Sequence, residues 1–366
     1  MSVVARFEVR YTQYLDSQGR AVQPLPEFAR EPRNLVPAYR AMVLTRALDA
    51  KAIALQRTGR MGTYASTLGK EAIDAGCGAV LEKDDVVLPS YRESGILFLR
   101  GVSPHRVFLY WGGDERGNVF PESPRDFPFC VPIATQLAHA VGVAYAMKLR
   151  GERRAALALA GDGATSKGDF HEALNAAGVW QLPMVVLIVN NQYAISMPRR
   201  RQSAAETLAQ KGIAAGIACE QVDGNDVIAV REVVGRALER ARAGAGPALI
   251  EALTYRLSDH TTADDASRYR SADEVAEAWK HEPIARLRNW LVANGAWSKE
   301  EEVALQRECT ARAEEAAQAY LDTPPPEPEQ MFRHLYARLP AAYRWQRDAA
   351  CGAIAEANHD AEPQPR

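Results

Sequence analysis

The sequence lacks several features that would assign a protein to a class at once. Its five cysteines are odd in number and stand without metal-ligand spacing: Cys77, Cys130, Cys219, Cys309 and Cys351. Neither a zinc site nor a disulfide framework is expected, and reduced thiols suit a cytoplasmic setting. No apolar run reaches the roughly 18 residues of a membrane span, and the N-terminus MSVVARFEVR is too short and charged for a signal peptide. We expect a cytoplasmic protein that does not enter the membrane.

An excess of charge is also absent. The 44 Lys and Arg residues nearly balance the 46 Asp and Glu residues, for a net charge of −2, so nucleic acid is not an expected partner. A hydrophobic content of 47% is ordinary for a globular protein. The length of 366 residues allows one large α/β domain or two smaller ones.

The most informative stretch has the pattern strand, glycine turn, helix, strand. An apolar run (AALALA, 155–160) leads into GDGATS (161–166), and apolar residues then recur at helical spacing over 168–181. A second apolar run (PMVVLIV, 183–189) ends at the pair Asn190-Asn191. This order predicts a right-handed βαβ unit that brings the carboxyl ends of two parallel strands together, where α/β sheets bind ligands.

The residues at this predicted edge have the chemistry of a metal and phosphate site. Asp162 and Asn191 offer oxygen ligands suited to Mg²⁺. Gly161 and Gly163 would let the backbone approach a ligand, and the N-terminus of the next helix would favour an anion. A Gly-Asp-Gly by itself is more often a simple turn, so the Asn-Asn pair decides the interpretation.

Together the two elements resemble the thiamin-diphosphate motif, Gly-Asp-Gly followed by Asn-Asn. The resemblance implies Mg²⁺ held by Asp162, Asn191 and the backbone oxygen of Tyr193, with Gly163 and Ala164 also contacting the cofactor. The longer string GDGATSKGDFHEALNAAGVWQLPMVVLIVNNQYAIS is similar to the alpha subunits of the heterotetrameric 2-oxo acid dehydrogenases. This likeness covers about residues 35 to 340.

The same resemblance assigns further cofactor contacts to Tyr91, Arg92 and the backbone of Ile133. A guanidinium gives a phosphate two parallel hydrogen bonds, although an arginine here could also form a surface ion pair. Where the family usually has a serine, this chain has Val131. The segment 111–129 lacks the glycine and histidine patterns of mitochondrial relatives, but its length suits an active-site wall.

His260 is the candidate catalytic residue. It lies in the polar segment 258–270, which has no apolar periodicity and is predicted to be a loop leaving the end of a strand. A lone histidine in a polar loop usually has no function, but the resemblance implies that His260 contacts the cofactor, stabilises the reacting intermediate and guides acyl transfer. Thr261 stands where mitochondrial relatives carry a phosphorylated serine. The basic run 199–201 is expected to be solvated, with a partner contact as the alternative.

The predicted fold class is α/β, a doubly wound parallel sheet of the thiamin-diphosphate-binding type flanked by helices. Residues 1–33 are expected to form an extended N-terminal arm lying over the domain or a partner. Residues 34–322 would form the cofactor-binding domain with its C-terminal helices, including one helix over 274–294. Residues 323–366 would form a Pro-rich linker, a short helix and a polar tail.

The activity implied by the resemblance is oxidative decarboxylation of a 2-oxo acid, with acyl transfer to the lipoyl group of an acyltransferase component. A separate beta subunit would supply the glutamate that activates the cofactor, in an α2β2 assembly. Pyruvate is the expected substrate. The alternatives are a branched-chain 2-oxo acid, acetoin, or a structural subunit without cofactor. A nicotinamide dehydrogenase is disfavoured because GDGATS does not supply G-x-G-x-x-G.

Overall fold

The computed structural model of the chain describes residues 1–360, with side chains up to residue 352. It divides into two units, Met1–Tyr320 and Leu321–Arg366. The end of the predicted polar tail, residues 361–366, lies outside the described residues. Within the described part, no helix combines the length and the apolar character needed to cross a membrane.

The first unit is built on a six-stranded parallel sheet, which confirms the predicted fold class. Its strand order is β1-β7-β8-β4-β3-β2, and β5 and β6 form a separate antiparallel hairpin. The strands are β1 (Tyr11–Thr12), β2 (Val86–Leu88), β3 (Ala156–Gly161), β4 (Met184–Asn190), β5 (Tyr193–Ala194), β6 (Met197–Pro198), β7 (Ala218–Asp223) and β8 (Ala248–Leu253).

Fifteen α-helices lie in the described residues. They are α1 (Glu27–Arg30), α2 (Val36–Arg57), α3 (Glu71–Gly78), α4 (Ser94–Leu99), α5 (Pro104–Trp111), α6 (Thr135–Leu149), α7 (Gly168–Trp180), α8 (Arg199–Gln202), α9 (Lys211–Ala214), α10 (Val227–Arg242), α11 (Ala272–Trp279), α12 (Pro283–Ala293), α13 (Lys299–Leu321), α14 (Gln330–Arg333) and α15 (Ala341–Asp360).

Helices cover both faces of the sheet because its central strands are apolar on both sides. Along β3, Ala156, Ala158 and Ala160 pack with α6 and α7, while Leu157 and Leu159 pack with α3 and α10. Such near-continuous apolar strands are typical of a sheet buried on both faces. A third core joins α2, α12 and α13.

The N-terminal arm lies over its own domain, and its middle part also forms a strand of the sheet, which was not predicted. Tyr11 pairs with Gln221, so β1 extends the sheet beyond β7. The buried carboxylate of Asp226 accepts hydrogen bonds from the backbone N–H groups of Tyr14 and Leu15, at 2.6 and 2.7 Å, and also caps α10. These bonds hold the arm on its own domain.

Two other sequence expectations were wrong in detail. The single helix expected over 274–294 is two helices, because Pro283 opens α12 and Glu282 caps it through the N–H groups of Ile284 and Ala285. In the second unit, α14 is shorter than the helix expected near residues 331–339, and α15 was not predicted.

Candidate functional site

The carboxyl ends of β3, β4 and β8 lie side by side and create the site. Gly161 pairs with Val189 across β3 and β4, and Asn190 pairs with Leu253 across β4 and β8. The Gly-Asp-Gly turn, the Asn-Asn pair and the segment that follows β8 therefore leave the sheet at the same edge. A cavity of about 330 Å³ opens there.

All residues that the sequence analysis assigned to the site line this one cavity. They are Tyr91, Arg92, Ile133, Asp162, Gly163, Ala164, Asn191, Tyr193 and His260. The segment 111–129, expected as an active-site wall, contributes none of the residues described as lining it. Instead that segment packs on its own apolar cluster, which includes Phe120 and Phe129.

Asp162 is a buried carboxylate without an ion-pair partner in the part of the chain that the structure describes. The residue is 2% exposed, and Gln202 Nε2 donates to its Oδ2 at 2.8 Å. No Lys, Arg or His of the described residues lies within ion-pair distance of it. Burial raises its pKa, although the hydrogen bond from Gln202 and the more distant charges of Arg256 and Arg199 act in the opposite direction. A buried carboxylate in this condition would be stabilised by a bound cation.

The two asparagines of the pair have different tasks. The side chain of Asn190 is tied into the protein, since its Nδ2 donates to the buried Glu251 at 2.6 Å and its Oδ1 accepts from the backbone of Gln192 at 3.2 Å. The side chain of Asn191 lines the cavity, and its Oδ1 accepts only a long bond, 3.3 Å, from the backbone N–H of Tyr193. Asn191 is the one with ligand capacity to spare.

A metal at this edge would depend mainly on neutral oxygens. In the part of the chain that the structure describes, no cluster of three or more His, Cys, Asp or Glu side chains could hold a metal ion. One carboxylate, one amide oxygen and one backbone oxygen are ligands of the hard type that Mg²⁺ prefers. The donor set of Asp162, Asn191 and Tyr193 therefore fits Mg²⁺ with the remaining positions left to water or ligand oxygens.

The glycines of the turn differ in what they permit. A Cβ on Gly161 would meet nothing within 4 Å, whereas a Cβ on Gly163 would lie 2.6 Å from the Cβ of Ala194. Gly163 therefore serves close packing of the turn on β5 as well as lining the cavity. The turn continues as a 3₁₀ helix (Asp162–Ser166), and α7 begins at Gly168, where the sequence analysis placed the start of the helical spacing.

Arg92 and His260 also line the cavity, and they are hydrogen-bonded to each other. Arg92 Nη1 donates to the carbonyl of Ser66 at 2.6 Å, and Nη2 donates to the His260 carbonyl at 2.6 Å and contacts His260 Nδ1 at 3.0 Å. Because a guanidinium has no acceptor, Nδ1 must be the accepting nitrogen. The neutral ring then carries its proton on Nε2, which leaves an N–H donor for a ligand.

The surroundings of His260 keep its ring neutral. Burial lowers its pKa to about 4, and the positive charges of Arg92 and Arg256 act in the same direction. The nearby acids shape the loop rather than hold a proton on the ring, since Asp264 accepts from the His260 backbone N–H at 2.9 Å and Asp259 from that of Ala266 at 3.0 Å.

Sequence reasoning missed Arg256, which connects several parts of the site. Its guanidinium donates to the carbonyl of Tyr193 at 3.3 Å, to that of Ile195 at 2.8 Å and to the hydroxyl of Tyr269 at 2.8 Å, and lies 3.4 Å from His260 Nδ1. It thus positions the hairpin and the His260 loop together. Its place directly after a strand was the only sequence signal.

A buried hydrogen-bond network holds the protein groups that bind Arg92 in place. The carboxylate of Asp49 accepts from Tyr64, Ser66 and Thr67, including the Thr67 backbone N–H at 2.7 Å, which fixes the segment whose carbonyl binds Arg92. On the other side, Lys70 Nζ donates to the Arg92 carbonyl at 3.0 Å. Satisfied buried networks of this kind hold a functional side chain in one orientation.

Backbone strain is concentrated at the cavity. Three non-glycine residues with left-handed φ lie at or beside its wall: Ala134 (72°), Gln192 (73°) and Ile195 (56°). Such conformations cost about 1–3 kcal/mol each and cluster at functional sites. Ala134 follows Ile133 at the start of α6, and the other two bracket Tyr193. None of these residue types gives a sequence signal for this conformation.

An unpaired acceptor also faces this region. The amide oxygen of Gln136 is buried and has no hydrogen-bond partner, although its Nε2 donates to the Leu159 carbonyl at 2.6 Å. A buried polar atom left without a partner is costly, and such atoms are concentrated where a structure serves function rather than stability.

Comparison of the sequence with known proteins identifies a family. Residues 39–329 match the family described as the dehydrogenase E1 component. The chain is 44% identical to the 3-methyl-2-oxobutanoate dehydrogenase subunit alpha of Mycobacterium tuberculosis, over 85% of this chain and 84% of that protein. It is also 44% identical to the pyruvate dehydrogenase E1 component subunit alpha of Acholeplasma laidlawii (81% and 86%) and 43% identical to that of Staphylococcus aureus (81% and 80%).

The geometry predicts how the pKa of His260 responds to its neighbours. In the cofactor-free protein the ring should titrate well below its ordinary range, near the value of about 4. Arg92→Gln removes one positive neighbour and should raise this pKa, whereas Arg92→Lys keeps the charge and should leave it low. Histidine ring NMR over pH 3–8 checks this, and an equal pKa in the Gln and Lys variants would contradict the charge effect.

Proposed function

Since the chain belongs to the dehydrogenase E1 component family, we propose that it is the alpha subunit of a thiamin-diphosphate-dependent pyruvate dehydrogenase. The enzyme decarboxylates pyruvate oxidatively and transfers the acetyl group to the lipoyl group of the acyltransferase component. The observation that carries the proposal is that every residue assigned by the motif lines one cavity at the carboxyl edge of the sheet.

In this proposal the chain holds the diphosphate half of the cofactor. Asp162, Asn191 and the carbonyl of Tyr193 hold Mg²⁺, and the burial of Asp162 without a protein cation supports this. Arg92 makes three bonds to protein acceptors and has five N–H donors, so two remain for phosphate oxygens. When bound, thiamin diphosphate would supply a carbanion to attack the keto carbon and a thiazolium ring to accept the electrons released with carbon dioxide.

The protein's own groups then orient and protect the reacting atoms. The Nε2–H of His260 donates to a phosphate or a developing oxyanion, and such donors contribute about 10²–10³ in rate. The buried apolar side chain of Val189 lines the cavity and limits the access of water to that part of the site. The ring of Tyr91 contacts that of His260 edge to face, with centroids 6.2 Å apart, and limits its motion.

The proposed partners are a beta subunit and a lipoyl acyltransferase. Of the carboxylates that line the cavity, Glu93 is occupied by Ser90 at 2.6 Å and by Lys70 at 3.4 Å, and Asp162 is assigned to the metal. The glutamate that activates the cofactor would come from the beta subunit in an α2β2 assembly. The five free cysteines suit a cytoplasmic enzyme.

A branched-chain 2-oxo acid is the second candidate substrate. The relative named 3-methyl-2-oxobutanoate dehydrogenase subunit alpha is as similar to this chain as the pyruvate dehydrogenase relatives are. The two substrates differ by a methyl against an isopropyl group. A difference of this kind in an apolar pocket changes the binding free energy by only about 1–3 kcal/mol per methylene, so few residues decide the preference.

We expect activity only from the assembled enzyme. The chain co-expressed with its beta subunit should copurify as α2β2 and decarboxylate pyruvate in preference to 3-methyl-2-oxobutanoate and acetoin, with thiamin diphosphate and Mg²⁺. The alpha chain alone should be inactive. Values of kcat/KM for the three substrates check the order; preference for 3-methyl-2-oxobutanoate would select the second candidate, and inactivity with all three would reject the enzyme assignment.

Asp162→Ala should abolish Mg²⁺-dependent cofactor binding without damaging the fold. Removing a buried carboxylate that has no protein cation should leave the thermal stability of the cofactor-free protein equal or slightly higher. Calorimetric titration with thiamin diphosphate and thermal unfolding check both parts. Asp169→Ala, at the start of α7, is the matched control. Unchanged cofactor affinity in Asp162→Ala would remove it from the metal site.

His260→Ala should separate cofactor binding from acyl transfer. The variant should keep most of its cofactor affinity and lose reductive acylation of the lipoyl domain by at least about a hundredfold. Decarboxylation measured with an artificial electron acceptor should suffer less, because that assay bypasses the lipoyl group. His171→Ala, on the exposed side of α7, is the control. Wild-type rates in both assays would show that His260 has no catalytic part.

A further inference from the structure

The rim of the cavity carries a short basic helix. Met197 and Gln202 both line the cavity, and the side chain of Met197 is 46% exposed, so this stretch lies where the cavity meets solvent. Helix α8 (Arg199–Gln202) begins two residues after Met197 and consists of three arginines followed by Gln202. Because Gln202 also binds Asp162, the helix is joined directly to the floor of the site.

The three arginines of α8 are not equivalent. Arg199 is a structural residue, since its guanidinium binds the carbonyls of Ser203, Ala205 and Glu206 at 2.5–3.5 Å. Arg200 and Arg201 are exposed, and neither forms a hydrogen bond or an ion pair with another described residue. Arg199 therefore fixes the helix, and the next two side chains project from it without partners.

An anionic partner would be attracted to this surface. Neighbouring like charges repel each other, and the chain as a whole has a net charge of −2, so the positive patch is local. Glu206 and Glu274 line the cleft next to the cavity together with Arg200, but neither comes within ion-pair distance of it. Arginine and methionine side chains are also enriched in protein interfaces.

We propose that Met197, Arg200 and Arg201 form a docking surface for an acidic face of the domain that carries the acyl acceptor. The proposal rests on the proposed function: the acceptor group must enter the cavity while its carrier domain stays outside, so the domain must rest on the rim. An acidic face there would meet two unpaired arginines beside an exposed apolar side chain. Charge pairs of this kind act mainly on association rate and on selection among partners.

The test uses the α2β2 enzyme with the double variant Arg200→Glu/Arg201→Glu. The probe is the lipoyl domain of the organism's own acyltransferase component. Its KM should rise about tenfold at low ionic strength, and the difference should shrink at about 0.5 M salt, where charges are screened over a few ångströms. Cofactor affinity, decarboxylation with an artificial electron acceptor and reduction of free lipoamide should stay within about twofold of wild type.

The matched control is Arg150→Glu/Arg153→Glu. These arginines are also exposed and without ion pairs among the described residues, but they precede β3 at the opposite edge of the sheet. The control makes the same change in net charge, so a general electrostatic effect would lower lipoyl-domain activity in both variants. A specific docking surface should affect the α8 variant alone.

Each other outcome overturns the proposal in a distinct way. An unchanged KM for the lipoyl domain excludes α8 from docking, and an equal loss with free lipoamide makes the arginines part of the site's interior. Failure of the α8 variant to form α2β2 on size-exclusion chromatography would make this face a subunit contact. If the wild-type enzyme decarboxylates no 2-oxo acid with an artificial acceptor, the proposed function itself fails, and the docking proposal with it.

Discussion

The parallel, in-register pairing of β3 with β4 and of β4 with β8 is the constraint on which the site depends. These strands are almost entirely apolar and buried on both faces, and along β3 alanines face one layer of helices while leucines face the other. A one-residue shift would exchange small and large side chains between two packed cores and is therefore strongly disfavoured. The register places Gly161 opposite Val189 and Asn190 opposite Leu253. Three segments that are distant in the chain therefore end at one edge of the sheet. The pairing of the strands alone brings the polar residues of these segments close together.

Charge is divided within the cavity in a way that favours a bound metal–anion pair. Asp162 is a buried carboxylate whose pKa is raised by burial and which has no ion-pair partner among the described residues. Arg92 lines the same cavity and lies with Arg256 close to His260, whose pKa both guanidinium groups help to lower. Neither the carboxylate nor the Arg92 guanidinium is neutralised by an ion pair within the described residues. A cation beside Asp162, bridged to an anion beside the arginines, would neutralise both, which is the electrostatic reason for preferring a metal diphosphate over either ion alone.

Sequence patterns were sufficient for the sheet and for the residues that line the cavity, because both are strongly marked. The βαβ unit follows from two apolar runs about a glycine turn, and the cavity contains each residue that the motif assigned. The supporting residues were not predictable in the same way. Arg256, Asp49 and Gln202 act through contacts with residues far along the chain, and the left-handed conformations of Gln192 and Ile195 occur in residue types that usually avoid them. The strand within the arm was not predictable either, because two residues have no period to detect and Asp226, which binds the residues just after β1, lies far along the chain.

The strained hairpin after β4 connects the candidate metal ligands, the His260 loop and the rim of the cavity. Gln192 and Ile195 are held in costly conformations, and the carbonyls of Tyr193 and Ile195 are both bound by Arg256. Arg256 also lies near the ring of His260, while Gln202, at the end of α8, binds Asp162. A displacement of the rim would therefore move a donor to Asp162, and a displacement of the His260 loop would move the guanidinium that holds the Tyr193 carbonyl. In the proposed enzyme, contact of a carrier domain with the rim and the positions of the metal ligands are for this reason not independent, although the docking residues themselves do not touch the cofactor.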